Sequence, residues 1–537
     1  MHSNPIEIIM SERIEHECSV SAIYWMDEAV APEGDASSMV SNNNITPMLQ
    51  QMLCDQQNRG QLAAGITTYD PDRPQILDTY KDVGSVNEVF RVSHPGKFQA
   101  ILKEYAGRAG IGHTRYATCG QEDPRYAQPF ERHHGRLWKW FSFAFNGTLA
   151  NYPELREQLL SKQGYHITLE GDTEIMMHTL SYALRGETEP SFVDVMRNVY
   201  IQFDGAYNIA FINGCGEMFV ARDPLGLRPL CWAVQGRLFA AASESIALRN
   251  MGFREINHLE PGTMVIVNSK GYKVERYADP VPQKRCFFEW IYFANAASEI
   301  DNLGVYQARE AAGRILGKNE DNVGILQGGE DVIVVPVPDT AKAAAAGYAH
   351  VRHLPCLEGL MRNRYAGRTF IQSNTGRSYA VRSKYAVLPT VLGGKKVVLV
   401  DDSIVRSTTI RALMKILREV GGAAEVHLRI ACPPIIAPCF YGVDMSLLGD
   451  LFAPHFLEDG YKGEFTPEVL DRMAKDLGAD SLRYLPVDNI GTSIGCGQDT
   501  FCLGCCTREF PTPKGNELFE KSLKIFQEHK KVDRVYD

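Results

Sequence analysis

Apolar positions in the second half of the chain run without alternation. Residues 332–337 and 397–400 are unbroken apolar stretches, and each leads into a loop and then a helical pattern. Strands buried on both faces read this way, so the pattern predicts a parallel sheet. After Thr409 the apolar residues Ile410, Leu413, Met414, Leu417 and Val420 fall at helical spacing, and Gly421-Gly422 supplies the stop. The first half differs. Short β-prone runs at 141–145, 207–212 and 264–267 are punctuated by glycines and separated by helical stretches at 152–161 and 173–184, which predicts mixed α and β in layers. Residues 31–46, rich in Ser, Asn, Gly and Asp and without periodicity, read as an exposed loop. No internal repeat is visible, and the change of character sets a domain boundary between about Tyr277 and Cys286.

At 537 residues the chain exceeds one ordinary core, so two or more domains are expected. A hydrophobic fraction of 45% with 23% charged residues is near the globular average. Lys and Arg number 56 against 65 Asp and Glu, for a net charge of −9, and no basic cluster suits a phosphate backbone, which argues against nucleic acid. Met1 to Glu17 holds only the short apolar run Ile8-Ile9-Met10 and four glutamates, unlike a signal or transit peptide, and no later segment is an apolar span. No membrane is expected, and the location read from this is the cytoplasm. Thirteen cysteines in a chain of this length are too sparse for a disulfide scaffold, leaving them as thiols, catalysts or metal ligands.

The segment Lys396-Val-Val-Leu-Val-Asp401-Asp402-Ser403-Ile-Val-Arg406-Ser407-Thr408-Thr409 is an apolar strand ending in two carboxylates, followed by a small-residue loop that opens a helix. Ligands of open α/β sheets bind at such strand ends. Backbone N–H groups at a helix start, with the hydroxyls of Ser407, Thr408 and Thr409, suit a phosphate, and Asp401 and Asp402 suit ribose hydroxyls or hydrated Mg²⁺. An acidic pair alone is more often a helix cap. A second strand-loop, Val334-Val-Pro-Val-Pro-Asp339-Thr340, precedes the small-residue run 341–349, which lets backbone approach a pyrophosphate closely.

The Asp401–Thr409 segment resembles the phosphoribosyl pyrophosphate loop of type I phosphoribosyltransferases, with Ser407 where that family more often has glycine. The resemblance implies binding of 5-phosphoribosyl 1-diphosphate by Asp401, Asp402, Ser403, Arg406, Ser407, Thr408 and Thr409, with Thr340, Asp401 and Asp402 around Mg²⁺. It also makes Arg362-Asn-Arg-Tyr-Ala-Gly-Arg368-Thr369, otherwise a solvated basic turn, the mobile loop that closes over this substrate through Arg362 and Arg368. Arg362 stands at a usual lysine position.

In the first half, His16-Glu-Cys18-Ser19-Val, Asn58-Arg59-Gly60-Gln61, Gly112-His113-Thr-Arg115-Tyr116, Asn146-Gly147, Gly171-Asp172-Thr-Glu174 and Ala221-Arg222-Asp223-Pro224 resemble class II glutamine amidotransferase domains in the same order. Such a domain before a phosphoribosyltransferase is similar to the amidophosphoribosyltransferases, and the likeness runs from Cys18 to about Pro513. It implies α/β and α+β classes in two domains: N-terminal nucleophile hydrolase αββα layers at 18–278, then a type I phosphoribosyltransferase parallel sheet at 279–500, with a carboxyl-terminal segment at 501–537. By resemblance Cys18 is the nucleophile, and its own α-amine is the base. That requires removal of residues 1–17, because an amide nitrogen at Cys18 accepts no proton. Asn146 and Gly147 would form the oxyanion hole, Arg115 would pair with the glutamine carboxylate, and Asp172 with its amino group. Alone, these residues read as a turn, a surface ion pair and a helix cap. Ser19 and Ser21 take usual glycine and aromatic positions, and Phe145 replaces a histidine.

Cys502-Leu-Gly-Cys505 suits two thiolates on one metal centre, and spacing does not choose the other ligands among Cys286, Cys432, Cys439, Cys496 and Cys506. The contexts Cys286-Phe-Phe-Glu289 and Pro438-Cys439-Phe-Tyr-Gly442 resemble those of the iron-sulfur branch of the family, which implies a structural [4Fe-4S] cluster on Cys286, Cys439, Cys502 and Cys505. Zinc or plain buried thiols are the alternatives. The family likeness implies glutamine hydrolysis that feeds ammonia to displace pyrophosphate, giving 5-phosphoribosylamine at the opening of purine synthesis. It further implies a homo-oligomer, commonly a tetramer, inhibited by purine nucleotides. The rival is a catalytically silent homologue acting as a phosphoribosyl pyrophosphate or nucleotide sensor.

Overall fold

The computed structural model describes residues 18–41, 43–116, 123–162, 166–169, 171–320, 331–363, 385–443, 445, 447–458, 461 and 463–528. The expected leader 1–17 and Arg368 of the expected closing loop lie outside the described residues.

Two sheets build the first half. The seven-stranded sheet runs Asn257–His258, Cys231–Gln235, Leu238–Ala242, Ser19–Trp25, Ala109–Arg115, Ala63–Tyr69, Leu77–Val83 in spatial order. The six-stranded sheet runs Gly271–Arg276, Thr263–Asn268, Met218–Arg222, Gly205–Asn213, Phe141–Leu149, Phe130–Arg132. Because side chains alternate along a strand, Val20, Ala22 and Tyr24 enter the core between the sheets with Ala144, Ala210 and Val220, while Ile23 and Trp25 face the helix Thr46–Asp55. On the far side Phe143 and Phe211 pack under the helices Tyr152–Lys162, Asp172–Ala183 and Phe192–Tyr200. The result is four layers, αββα. Residues 31–46 depart from the expected exposed loop. A helical turn at Asp35–Ser38 buries Ala36 and Ser37, because the Ala36 N–H donates to Gln235 Oε1 (2.8 Å) of a distant strand.

The second half holds a parallel sheet in the order Val332–Pro336, Lys396–Asp401, Glu425–Ile430, Ser481–Tyr484, with Val334 opposite Val398 and Leu399 opposite Leu428. Helix Thr408–Glu419 buries Ile410, Leu413, Met414 and Leu417, the stripe its spacing predicts. The small residues at 341–349 permit a close contact between helices. Helix Lys342–Arg352 lies so near helix Val305–Asn319 that a Cβ on Gly347 would sit 2.0 Å from the Glu310 carbonyl oxygen. The carboxyl-terminal helix Pro513–Gln527 returns to the first half, where the Lys514 N–H donates to Asp204 Oδ2 (3.3 Å) and Leu518 and Phe519 pack with Ala150 and Ala206. No described helix is long and apolar enough to cross a membrane.

Candidate functional site

Cys18 directly precedes the strand Ser19–Trp25, whose neighbour Ala109–Arg115 ends in Arg115. The half-buried Cys18 thiol donates to the Tyr116 carbonyl (3.7 Å). Burial pushes this thiol above its ordinary value, Arg115 and Arg59 pull it down, and Asp172 adds to the rise, so all three charges act on one sulfur.

Asn146 and Gly147 belong to the strand Phe141–Leu149 of the facing sheet. Asn146 Nδ2 donates to Ser243 Oγ (3.4 Å), which itself accepts from the Val20 N–H (3.0 Å), tying the two sheets together beside Cys18. Gly147 has φ +147°, and a Cβ there would lie 1.9 Å from the Ala206 carbonyl oxygen, so only glycine fits. Asp172 opens the helix Asp172–Ala183, yet its Oδ2 accepts from the Leu149 N–H (3.3 Å) two residues beyond Gly147, beside the facing sheet.

The three departures in the first half from the pattern it resembles are absorbed locally. Ser19 shares a hydrogen bond with Thr114 (2.7 Å), and Ser21 accepts from Gln56 Nε2 (2.7 Å). The Phe145 ring lies in the core, and its backbone is held by Gln128, which accepts from the Phe145 N–H (2.7 Å) and donates to the Phe145 carbonyl (3.3 Å). His113 Nε2 lies 3.1 Å from that carbonyl, and burial pushes the imidazole down to about 3, keeping it neutral. The backbone entering Asn146 is therefore clamped without a histidine at 145.

Arg59, His113 and Glu289 fall inside the matched motifs with no role implied there, whereas Ser243, Gln128 and Glu244 carry no local signal. Arg59 is wholly buried, with Nε 3.1 Å from Glu244 Oε1 and its guanidinium on Glu289, a carboxylate 230 residues away in sequence.

At the second centre Asp401 ends the strand Lys396–Asp401 and Asp402 follows it, both buried. The Asp402 N–H donates to Asp401 Oδ1 (2.9 Å), Ser403 Oγ donates to Asp402 Oδ1 (2.6 Å), and the Thr340 hydroxyl donates to Asp402 Oδ2. Two strand ends 62 residues apart in sequence thus converge on one carboxylate. Ser407 stands at the N-cap of helix Thr408–Glu419, but its Oγ accepts from Arg411 Nε (3.1 Å) and caps no helix N–H. The first-turn N–H groups, next to Thr408 and Thr409, lack a side-chain cap, which suits an anion. Arg406 Nη2 is 3.8 Å from Asp450, and Arg362 Nη1 is 3.6 Å from Asp339, placing Arg362 beside Thr340. Arg309, in helix Val305–Asn319, donates to the Trp290 and Ala294 carbonyls (2.7 and 2.8 Å). Burial pushes it down to about 10, against the pull of Asp402 and Glu244.

Cys286, Cys439, Cys502 and Cys505 line one small cavity of about 20 Å³ with Leu227, Arg228, Phe288 and Tyr441. Cys286 and Cys502 stand opposite each other in the parallel pairing of Arg285–Cys286 with Phe501–Cys502. Cys439 Sγ accepts from the Tyr441 N–H (3.4 Å), and Cys505 Sγ lies 4.0 Å from Cys506 Sγ. Burial pushes the Cys286 and Cys502 thiols up. Among the described residues no group of three or more His, Cys, Asp or Glu gathers closely enough to hold a single metal ion.

A family profile described as a glutamine amidotransferase domain matches residues 113–250. The amidophosphoribosyltransferase of Methanothermobacter thermautotrophicus is 34% identical over 511 residues, which is 94% of this chain and 97% of that one. The Bacillus subtilis amidophosphoribosyltransferase is 36% identical over 467 residues, covering 85% and 89%. In structure, the glutamine phosphoribosylpyrophosphate amidotransferase from B. subtilis complexed with ADP and GMP superposes with a TM-score of 0.77 at 33% identity, covering 93% of this chain and 98% of that one.

Proposed function

The chain belongs to the amidophosphoribosyltransferase family, and from that premise we propose that Cys18 takes the amide nitrogen of glutamine as ammonia, which then displaces pyrophosphate from 5-phosphoribosyl 1-diphosphate at Asp401–Thr409. The product is 5-phosphoribosylamine, entering purine synthesis. The observation that carries this reading is the convergence on Cys18 of Arg115, Asp172 and, through Ser243, Asn146. A cation and an anion that act on the sulfur suit an amino acid's two charges, and Asn146 and Gly147 offer amide donors for a tetrahedral oxyanion. The sensor reading has no comparable support, since Ser19 and Phe145 are accommodated without displacing any of these groups.

In the cleavage step the α-amine of a liberated Cys18, with an ordinary pKa of roughly 7.7–8.0, takes the thiol proton and returns it to the leaving ammonia. Arg115 orients the glutamine carboxylate and Asp172 its amino group. Asn146 Nδ2 and the Gly147 N–H receive the oxyanion. At the second centre the helix start with Thr408 and Thr409 holds the 5′-phosphate, Asp401 and Asp402 hold ribose hydroxyls, and Arg362 and Arg368 cover the substrate. The oxygen donors of Thr340, Asp401 and Asp402 fit hydrated Mg²⁺, which when bound neutralises the leaving pyrophosphate.

The test combines two measurements. Glutamine labelled with ¹⁵N in the amide, 5-phosphoribosyl 1-diphosphate and Mg²⁺ are expected to yield ¹⁵N on the sugar, and intact mass is expected to show a mature chain starting at Cys18. Absence of label on the sugar refutes the transfer, and full glutaminase activity with residues 1–17 retained refutes the amine as base.

The four cysteines lining one cavity, in contexts that resemble the iron-sulfur branch, support a [4Fe-4S] cluster held by Cys286, Cys439, Cys502 and Cys505, which would cross-link the carboxyl end to the transferase sheet. Tetrahedral zinc needs four sulfurs at about 2.3 Å from one point. Anaerobically purified protein is expected to be brown and to bind about four iron atoms per chain; a colourless, iron-free preparation refutes the assignment. We place the enzyme in the cytoplasm as a homo-oligomer, commonly a tetramer. Purine nucleotides would inhibit it, consistent with the ADP and GMP bound by the B. subtilis relative.

A further inference from the structure

The nucleophile and its oxyanion donor come from different sheets. Cys18 leads into the strand Ser19–Trp25 of one sheet, and Asn146 lies in the strand Phe141–Leu149 of the other. Between the sheets Val20 and Ala22 pack with Ala144 and Ala210. Apolar contact is non-directional, so it does not fix where a carboxamide points, and the terminal torsion of an asparagine is itself soft. A donor that must meet a developing oxyanion therefore needs a polar anchor.

Ser243 directly follows the strand Leu238–Ala242 and is held on the Cys18 strand from both sides of its backbone. Its N–H donates to the Val20 carbonyl (3.1 Å), and its Oγ accepts from the Val20 N–H (3.0 Å). The following N–H, that of Glu244, donates to Gln56 Oε1 (3.2 Å), whose Nε2 donates to Ser21 Oγ (2.7 Å). From this frame the Ser243 Oγ reaches the facing sheet and accepts from Asn146 Nδ2 (3.4 Å). Ser243 and Asn146 are each 1% exposed, so water does not compete for the contact. The two lone pairs of the hydroxyl then face Val20 and Asn146. One N–H of the carboxamide is turned to Ser243, and the second is the one an oxyanion would take.

We propose that Ser243 is a positioning residue for glutamine cleavage: its hydroxyl holds the Asn146 carboxamide in the frame of the Cys18 strand, so that nucleophile and oxyanion donor keep one fixed separation although they belong to different sheets. Ser243 touches no reacting atom and acts through Asn146. Without the hydroxyl the carboxamide turns about its soft torsion, the oxyanion loses a fixed donor, and the attack of the thiol itself is unaltered. This deepens the reading of Cys18 as nucleophile and Asn146 as oxyanion donor, and rests on it.

The experiment compares the full-length wild type with Ser243→Ala, Ser243→Thr, Asn146→Ala and the double variant Ser243→Ala/Asn146→Ala. For each, kcat and KM with glutamine, 5-phosphoribosylamine formation from ammonium, and the rate of iodoacetamide alkylation mapped to Cys18 are read. Ser243→Ala is expected to lower kcat with glutamine by about tenfold to a hundredfold, somewhat less than outright loss of an oxyanion donor. KM for glutamine is expected to stay within about twofold, because Arg115 and Asp172 still meet the substrate's charges. Alkylation displaces iodide from a saturated carbon and forms no oxyanion, so its rate, like the ammonium route, is expected to stay within about twofold. Ser243→Thr keeps the hydroxyl and is expected to recover most of kcat. The double variant is expected to match Asn146→Ala within about twofold, because both changes act through one carboxamide. That comparison decides the matter if the added methyl of Ser243→Thr disturbs packing. Additive losses in the double variant, an equal fall in alkylation or in the ammonium route, or a rise in KM at unchanged kcat would overturn the proposal. Unchanged kcat in Asn146→Ala sinks the oxyanion reading separately, and a wild type that turns over glutamine after complete alkylation of Cys18 sinks the nucleophile reading.

Discussion

Cys18→Ala is expected to abolish phosphoribosylamine formation from glutamine, by about 10³-fold or more, while formation from free ammonium stays within about twofold of the wild type. The argument is chemical. The glutamine amide needs a nucleophile and a base together, and on the proposed reading a Cys18 freed of residues 1–17 would supply both, the thiol on the side chain and the amine on the backbone. Arg115, Asn146 and Gly147 carry no nucleophile, and Asp172 is proposed to hold the substrate's amino group, so none is expected to substitute. Ammonium added directly bypasses this centre, because the second centre draws its carboxylates from strand ends elsewhere in the chain. Steady-state pyrophosphate release with each nitrogen source measures both arms. Substantial glutamine-dependent turnover by Cys18→Ala would place the nucleophile elsewhere, and loss of the ammonium route as well would show that the residue is structural.

Asp402→Asn has the opposite selectivity: it is expected to lower the glutamine and ammonium routes together, by about 10²-fold, equivalent to about 3 kcal/mol of transition-state stabilisation. Asp402 accepts from Thr340 on one oxygen and from Ser403 on the other. An asparagine presents one carbonyl and one amide, so one of the two hydroxyls faces a donor, and the negative charge that would face ribose or Mg²⁺ is gone. Comparing kcat/KM for 5-phosphoribosyl 1-diphosphate with either nitrogen source reads the effect. A variant impaired with glutamine alone would remove Asp402 from the substrate site.

Much of this second centre is legible locally. The run at 397–400 is apolar throughout because the strand Lys396–Asp401 is central in a covered parallel sheet, and such burial leaves a mark on every residue. Helix Thr408–Glu419 is legible for the converse reason, since one buried face imposes the 3.6 period. The strands Ser19–Trp25, Ala63–Tyr69 and Ala109–Arg115 are less so. All three are buried, yet they carry Ser, Thr and Gly where the packing is tight, and a run such as Ala-Gly-Ile-Gly-His-Thr-Arg has neither alternation nor an unbroken apolar character. The turn at Asp35–Ser38 escapes a local reading for a related reason, as its partner Gln235 lies 199 residues away from Ala36.

By itself the sequence determined the residue types that carry chemistry and their local settings: a cysteine that can become an amino terminus, a strand ending in Asp401-Asp402 before a hydroxyl-rich helix start, and four cysteines in matching contexts. These are short-range properties, in which a residue and its immediate neighbours suffice. The tertiary structure alone decided the partners. Ser243 links Asn146 to the Cys18 strand, Gln128 and His113 hold the backbone where a histidine is lacking, and Glu289 joins Arg59 to Arg228. The physical reason is that a buried polar or charged group must be satisfied by whatever the fold brings within about 3 Å, and that neighbour is set by sheet order and layer packing rather than by distance along the chain.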